Sequence, residues 1–523
     1  MLSVKCIHRI AQTAFMCSLV LMAAAQSITY APVAYTSKAL KAFEIIGKSG
    51  GYYVISKVIA GKEFLSFYDE QMKEQRQVAL GIEKKRYRLV GFAGGANGIH
   101  VLTTTTSKKY YYVFAAFVSS SNFTVAAPVL LDSFPVSLSE QATFHLIRSK
   151  SGAHTALFKI NRSERSKTLL LDVLFIQTNT FSYRKVRLSF PSFAAQNRVE
   201  GIDLADNGNF YFVVSGRNRD GGYIQQLAFY EVPAGSNMVT HTPIPVDKFY
   251  PERVQLFVNN RQQSCMLFSF GSAALKGNID GIFTASLKMG SVGAVQTSVY
   301  RFTDRQRLEA NKRVSQEIAF NDFYITDAVS KSDGGLIVLA ECLYTAARET
   351  NINRWERPLP DGWNNTAATP LNFSEQAQSN TVAYGGLGPN AGGTSTLNTT
   401  YVGENFFHAE NILVFDLDAQ AQATAVRFIN KGQQSNVAYE VSYAALKRTD
   451  GLFLFYNDWV FNAGRVLRAI QVDNRLSWEP LPVVRGLLPG YVLLNRMAVQ
   501  VSNNELIIPS VLNNRFVFTA LRF

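Results

Sequence analysis

The stretch "DLADNGNFYFVV", residues 203–214, sets a polar turn between two apolar runs. Asn207-Gly208 can take the positive φ values of a tight hairpin, and the Phe/Tyr/Val run after it has the composition of a strand. The same cell recurs along the chain: "IIGKSGGYYVIS" from Ile45, "FAGGANGIHVLT" from Phe92, "IRSKSGAHTALF" from Ile147, "FVNNRQQSCMLF" from Phe257, "VSKSDGGLIVLA" from Val329, "LKRTDGLFLFYN" from Leu446 and "VQVSNNELIIPS" from Val499. The copy at Phe257 is degenerate, with Asn259-Asn260 ahead of "RQQ" and no Gly. A spacing of roughly 50 residues is the period of propeller blades and similar arrays.

Further strands complete each unit, such as "QLAFYEVPAG" at 226–235 and "ILVFDLDAQ" at 412–420, followed by runs such as "VRLSF" at 186–190 and "TAVRFI" at 424–429. A lone strand pair cannot bury both faces, whereas four-stranded sheets stacked around an axis bury one another. The last unit ends one strand short at Phe523, and "ITYAPVAYT" at 28–36 is a strand-like piece left over at the other end. The expectation is therefore an all-β fold: an eight-bladed β-propeller of four-stranded antiparallel blades closed by the N-terminal strand, with seven blades as the alternative. Pro32 fits an outermost strand, where a missing N–H is tolerated. An outer-membrane barrel would need strictly alternating strands of about ten residues, unlike the continuous apolar runs "GGLIVLAECLY" and "DGLFLFY".

Lys5, His8 and Arg9, the apolar stretch Ile10–Ala24 and Ala23-Ala24-Ala25 read as a secretory signal peptide over 1–25, leaving one domain over 26–523. An exported protein is expected, in the periplasm, at the cell surface or outside the cell, with no membrane span once the signal is removed. Only Cys265 and Cys342 of the chain's 4 cysteines lie beyond that segment. Two cysteines are no disulfide framework, and both sit in apolar runs that suit packed thiols. The net charge is +13, but Lys and Arg are scattered among acids and apolar residues, which argues against nucleic acid as partner and suits acidic glycans or an anionic surface.

In a propeller the Gly/Asn turns join first to second strands and line one face. The opposite face is expected to carry a long insertion at 346–407, containing "NRWERPLPDGWNNT" at 353–366, beside an enlarged connection, 303–322. Arg354, Trp355, Trp363, His408 and Trp459 are candidate ligand-binding residues there, because Trp and Arg make flat, adaptable anchors. Asp322, Asp327, Glu410 and Asp458 are candidate catalytic acids at the central opening. No ligand set for a metal and no cofactor motif is apparent. The calcium-loop look of "DLADNGN" lacks a Glu at the required distance.

The repeated cell with "DGG" or "NG", seen best in "HAENILVFDLDAQAQATAVRFINKGQQS" at 408–435, resembles the broad class of exported bacterial β-propeller proteins, many without assigned activity. Sialidase boxes, recurrent Trp-Asp endings and kelch spacing are missing. The resemblance and the lopsided loops imply a monomeric binding or scaffold protein that recognises a glycan, peptide or cell-envelope protein. A carbohydrate-active hydrolase or lyase is the alternative, and a subunit of an envelope complex a third reading.

Overall fold

The computed structural model describes residues 27–523 except 37–38, 83–86, 108, 136–143, 164–167, 192–196, 218–223, 276, 291–294, 313–314, 346–381, 384–406, 436–439, 449–450, 461–463, 482–487, 489 and 513–514. Eight antiparallel sheets form a ring. The first, innermost strands of blades one to eight are Leu40–Ser49, Arg88–Gly95, Phe144–Arg148, Asn197–Leu204, Gln255–Asn259, Phe323–Ser330, Ala444–Arg448 and Val499–Ser502. The expected eight-bladed propeller is the observed fold.

The apolar runs follow from stacking. In the second strand of blade four, Phe210, Phe212 and Val214 enter the core shared with blade three, while Tyr211 and Val213 enter the core shared with blade five. A strand buried on both sides needs no polar alternation, so "FYFVV" is continuous. Every blade boundary holds such an apolar cluster. Burial of one such side chain contributes roughly 1.5–3 kcal/mol. Cys265 and Cys342 are buried free thiols within these layers.

The turn in the opening stretch is longer than a two-residue hairpin. Strands end at Leu204 and resume at Phe210, Ala205 N donates to Asn209 O, and Gly208 alone takes a left-handed φ of 87°. The Asn207 side chain accepts from Asn209 N, which stabilises the wider turn. In the degenerate copy, Gln263 supplies the positive φ that Gly would give, at 49°.

The ring closes as expected. Ser27–Tyr30 pairs with the last strand, Ser27 opposite Arg522 and Tyr30 opposite Thr519, and Ala31 N donates to Phe518 O at 2.8 Å. After a break at Pro32, Tyr35 and Thr36 pair with Phe516 and Arg515. Two polar clusters rivet this seam. Lys57, whose side chain is 0% exposed, donates to Glu74 Oε2 at 2.7 Å, Tyr35 Oη at 2.6 Å and Tyr68 Oη at 2.9 Å. Glu505 binds Lys48 at 2.6 Å, the Tyr53 hydroxyl at 2.6 Å and Arg522 at 3.1 Å.

Candidate functional site

The two ends of the ring differ. At one end, where first strands turn into second strands, neighbouring cells are stitched together. Gly50 N donates to Ala96 O, Ser151 N to Asp206 Oδ1, Asp206 N to Asn260 Oδ1, and Asn259 Nδ2 to Gly334 O. Lys447 N donates to Gln500 Oε1, and Gln500 Nε2 returns a bond to Lys447 O. The turn polarity is thus consumed in holding blades side by side.

The other end carries the insertion. Its roots are the second and third strands of blade six, Leu336–Thr345 and Phe407–Leu417, with Thr345 opposite Phe407 and Tyr344 opposite His408. Of the insertion, only the short strand Val382–Ala383 is described, paired with Phe43 and Ala42 of blade one. The enlarged connection lies beside it, as expected, and folds into a helix, Asp304–Ala310. Thr303 and Gln306 form a capping box at its start, satisfying two backbone N–H groups that the first turn leaves open. Asn411 Nδ2 ties the helix to blade six through Glu309 O and Ala310 O, both at 3.2 Å. Leu308 stands 54% exposed on that helix.

At the root of the insertion His408 stacks on Tyr344, 4.6 Å between centroids and 6° between planes, and the Tyr344 hydroxyl donates to Glu410 Oε1 at 2.6 Å. The fold thus brings together two of the sequence candidates, His408 and Glu410. Beneath them Lys431 and Glu341 form a fully buried pair at 2.6 Å, and Ser442 donates to the same carboxylate. The remaining acids lie apart. Asp322 is buried ahead of blade six's first strand, where its carbonyl accepts from Leu343 N. Asp327 is in the inner strand, bound to Lys447 at 2.5 Å, and Asp458 on blade seven is bound to Arg468. Arg354, Trp355 and Trp363 lie outside the described residues. Only the backbone of Trp459 is described, opposite Arg465 in the second strand of blade seven. Among the described residues no group of three or more His, Cys, Asp or Glu is placed to hold a metal ion.

Sequence reading missed the charges of the channel wall. Lys150 of blade three passes blade four and donates to Val258 O of blade five at 2.9 Å. Asp203 accepts from Val258 N and from Leu204 N, both at 2.8 Å, yet burial pushes its carboxyl up to about 6, Lys150 offsetting this only in part. Arg148 of blade three passes blade two and donates to Ile46 O of blade one at 3.2 Å. Glu44, on that same strand of blade one, is pushed up to about 7 by burial, against the opposing pull of Arg148 3.5 Å away. These residues come from different blades, so no local spacing links them. A usable signal was a charge interrupting the apolar inner strand just before the turn, as in "FEII", "LIRSK", "GIDLA" and "ITDAV".

No family model matches the chain, and no curated protein is similar to it in sequence. Solved structures do resemble it. The WD40 domain of SCAP from fission yeast matches with 9% identity and a TM-score of 0.41, over 95% of this chain and 98% of that one. The β-propeller domain of the Trilobed protease from Pyrococcus furiosus matches with 10% identity and a TM-score of 0.35, over 84% of this chain and 94% of that one. Prolyl oligopeptidase B from Galerina marginata matches with 8% identity and a TM-score of 0.38, over 91% of this chain and 56% of that one.

Proposed function

We propose that the chain is an exported binding or scaffold protein that recognises a glycan, peptide or cell-surface partner through the insertion-bearing face of the propeller. The observation that carries this reading is the unequal use of the two faces. One face spends its turn polarity on blade-to-blade hydrogen bonds, whereas the other presents the segment between Thr345 and Phe407 beside a helix fastened by Asn411. Long loops on a rigid scaffold are where recognition usually resides. The binder is favoured over a hydrolase or lyase because Asp327, Asp458 and Glu410 are each engaged locally, by Lys447, Arg468 and Tyr344. A propeller by itself selects no activity.

Replacing residues 347–405 with an Asn-Gly turn tests the reading, because Thr345 and Phe407 are already paired and need only a short link. On a glycan array and an array of envelope-derived peptides, the intact protein is expected to give specific signals that fall at least tenfold in the replacement, with thermal unfolding unchanged. Equal signals from both proteins overturn it. Export is tested by fractionating cells that express the full chain. Processed protein starting at Gln26 outside the cytosol is expected, and unprocessed cytosolic protein would contradict it.

A further inference from the structure

The channel wall between blades one and three holds polar groups that the fold leaves incompletely used. Blade two lies between them, and its inner strand carries Gly91, Gly94 and Gly95. A strand with few side chains leaves a recess there, across which Arg148 reaches blade one. Glu44 is only 5% exposed, and its Oε2 has no hydrogen-bond partner. Arg148 Nη1 donates to Ile46 O, but Nε and Nη2 have no hydrogen-bond partner. The 3.5 Å between Arg148 Nη2 and Glu44 Oε1 is an ion-pair contact beyond normal hydrogen-bond length. A quarter of the Arg148 side chain remains exposed, so the recess is open on that side. Buried polar atoms in native proteins are nearly always satisfied, which makes three orphan atoms facing one recess an argument for a ligand.

We propose that Glu44 and Arg148 form a subsite for adjacent hydroxyl groups of a neutral sugar, on the recessed inner strand of blade two. The chemistry selects that class. A free anion would suit Arg148 but meet the Glu44 carboxylate, and a cation would meet the guanidinium. A pair of neighbouring hydroxyls accepts two bonds from Nε–H and Nη2–H and donates one to Glu44 Oε2, satisfying all three atoms. A primary amide has a single acceptor oxygen and leaves the two-pronged donor edge half used. The subsite goes beyond the insertion-face reading and does not rest on it, since none of its residues belongs to the insertion.

The test is titration of the intact protein with glucose, galactose, mannose and their disaccharides, and with acetamide as the amide probe, by calorimetry and by NMR of arginine Nε–H groups. At least one sugar is expected to saturate and to shift the Arg148 Nε–H signal. Affinity should fall at least tenfold in Glu44→Leu and in Arg148→Met, and persist in the 347–405 replacement. Thermal unfolding identifies a variant that fails to fold, and the Arg148 signal of the unaltered protein then decides. No saturation by any sugar, saturation by acetamide alone, or saturation without a shift of Arg148 overturns the subsite.

Discussion

The closing seam between blades eight and one and the channel wall between blades one and three both bury charge, with opposite outcomes. At the seam burial alone would raise Glu505, but Lys48, Tyr53, Ser502 and Arg522 hold it down at about 2. Glu74 is likewise held below its ordinary value, since Lys57, Tyr35 and Tyr68 outweigh its burial. On the channel wall Glu44 and Asp203 have too few partners to offset burial, and both rise. Saturated ion clusters suit a joint without chain continuity, because their directional bonds fix the register of two separate strands. Under-partnered groups contribute no such register and stay available to a ligand.

The largest test of that contrast is removal of residues 27–36. The last blade would lose its outer strand and the Lys57–Glu74 pair would lose Tyr35. The expected result is loss of cooperative urea unfolding and association through the exposed edge, seen by size exclusion. A monomer that unfolds cooperatively at the original urea midpoint would show that the seam is dispensable.

A smaller effect separates charge from packing at the seam. Lys57→Met leaves Glu74 without its buried cation and should cost about 3–5 kcal/mol in urea unfolding. The double change Lys57→Met with Glu74→Gln should recover much of that loss, because removing both charges removes the unpaired one. If the double change is as damaging as the single one, packing around Lys57 rather than pairing is what closes the ring.

The smallest effect is a pH dependence that differs in sign between the two regions. Glu505 ionises at about 2 in the fold against an ordinary 4.5, so its contribution is complete above 4.5 and lost as pH falls toward 2. Glu44, at about 7, holds a proton that the unfolded chain releases near 4.5, so its contribution is complete below 4.5 and lost as pH rises to 7. Asp203 acts likewise between 3.8 and about 6. Melting temperature should therefore climb from pH 2 to 4.5 and decline from 4.5 to 7. Glu505→Gln should flatten the climb and Glu44→Gln the decline, each on the order of 1–3 kcal/mol. A decline unaffected by Glu44→Gln would remove Glu44 from the set of strained groups.

The sequence by itself determined the number of blades, their strand order and the way the ring shuts. Those features are written in local periodicity: a turn with Gly or Asn, apolar runs too continuous for a one-sided sheet, and a strand missing at one end that is present at the other. It also located the insertion root, since an interruption between two strong strands is a local signal. The tertiary structure alone decided which charges meet. Glu44 and Arg148 are separated by a whole blade in sequence, as are Lys150 and Val258, and they approach only because the blades curve around one axis. Likewise Asp327 read as a free acid until Lys447 of the next blade was found beside it. Hydrophobic pattern is a property of neighbours along the chain, whereas the partner of a charge, and hence its protonation, is fixed by groups that folding brings from elsewhere.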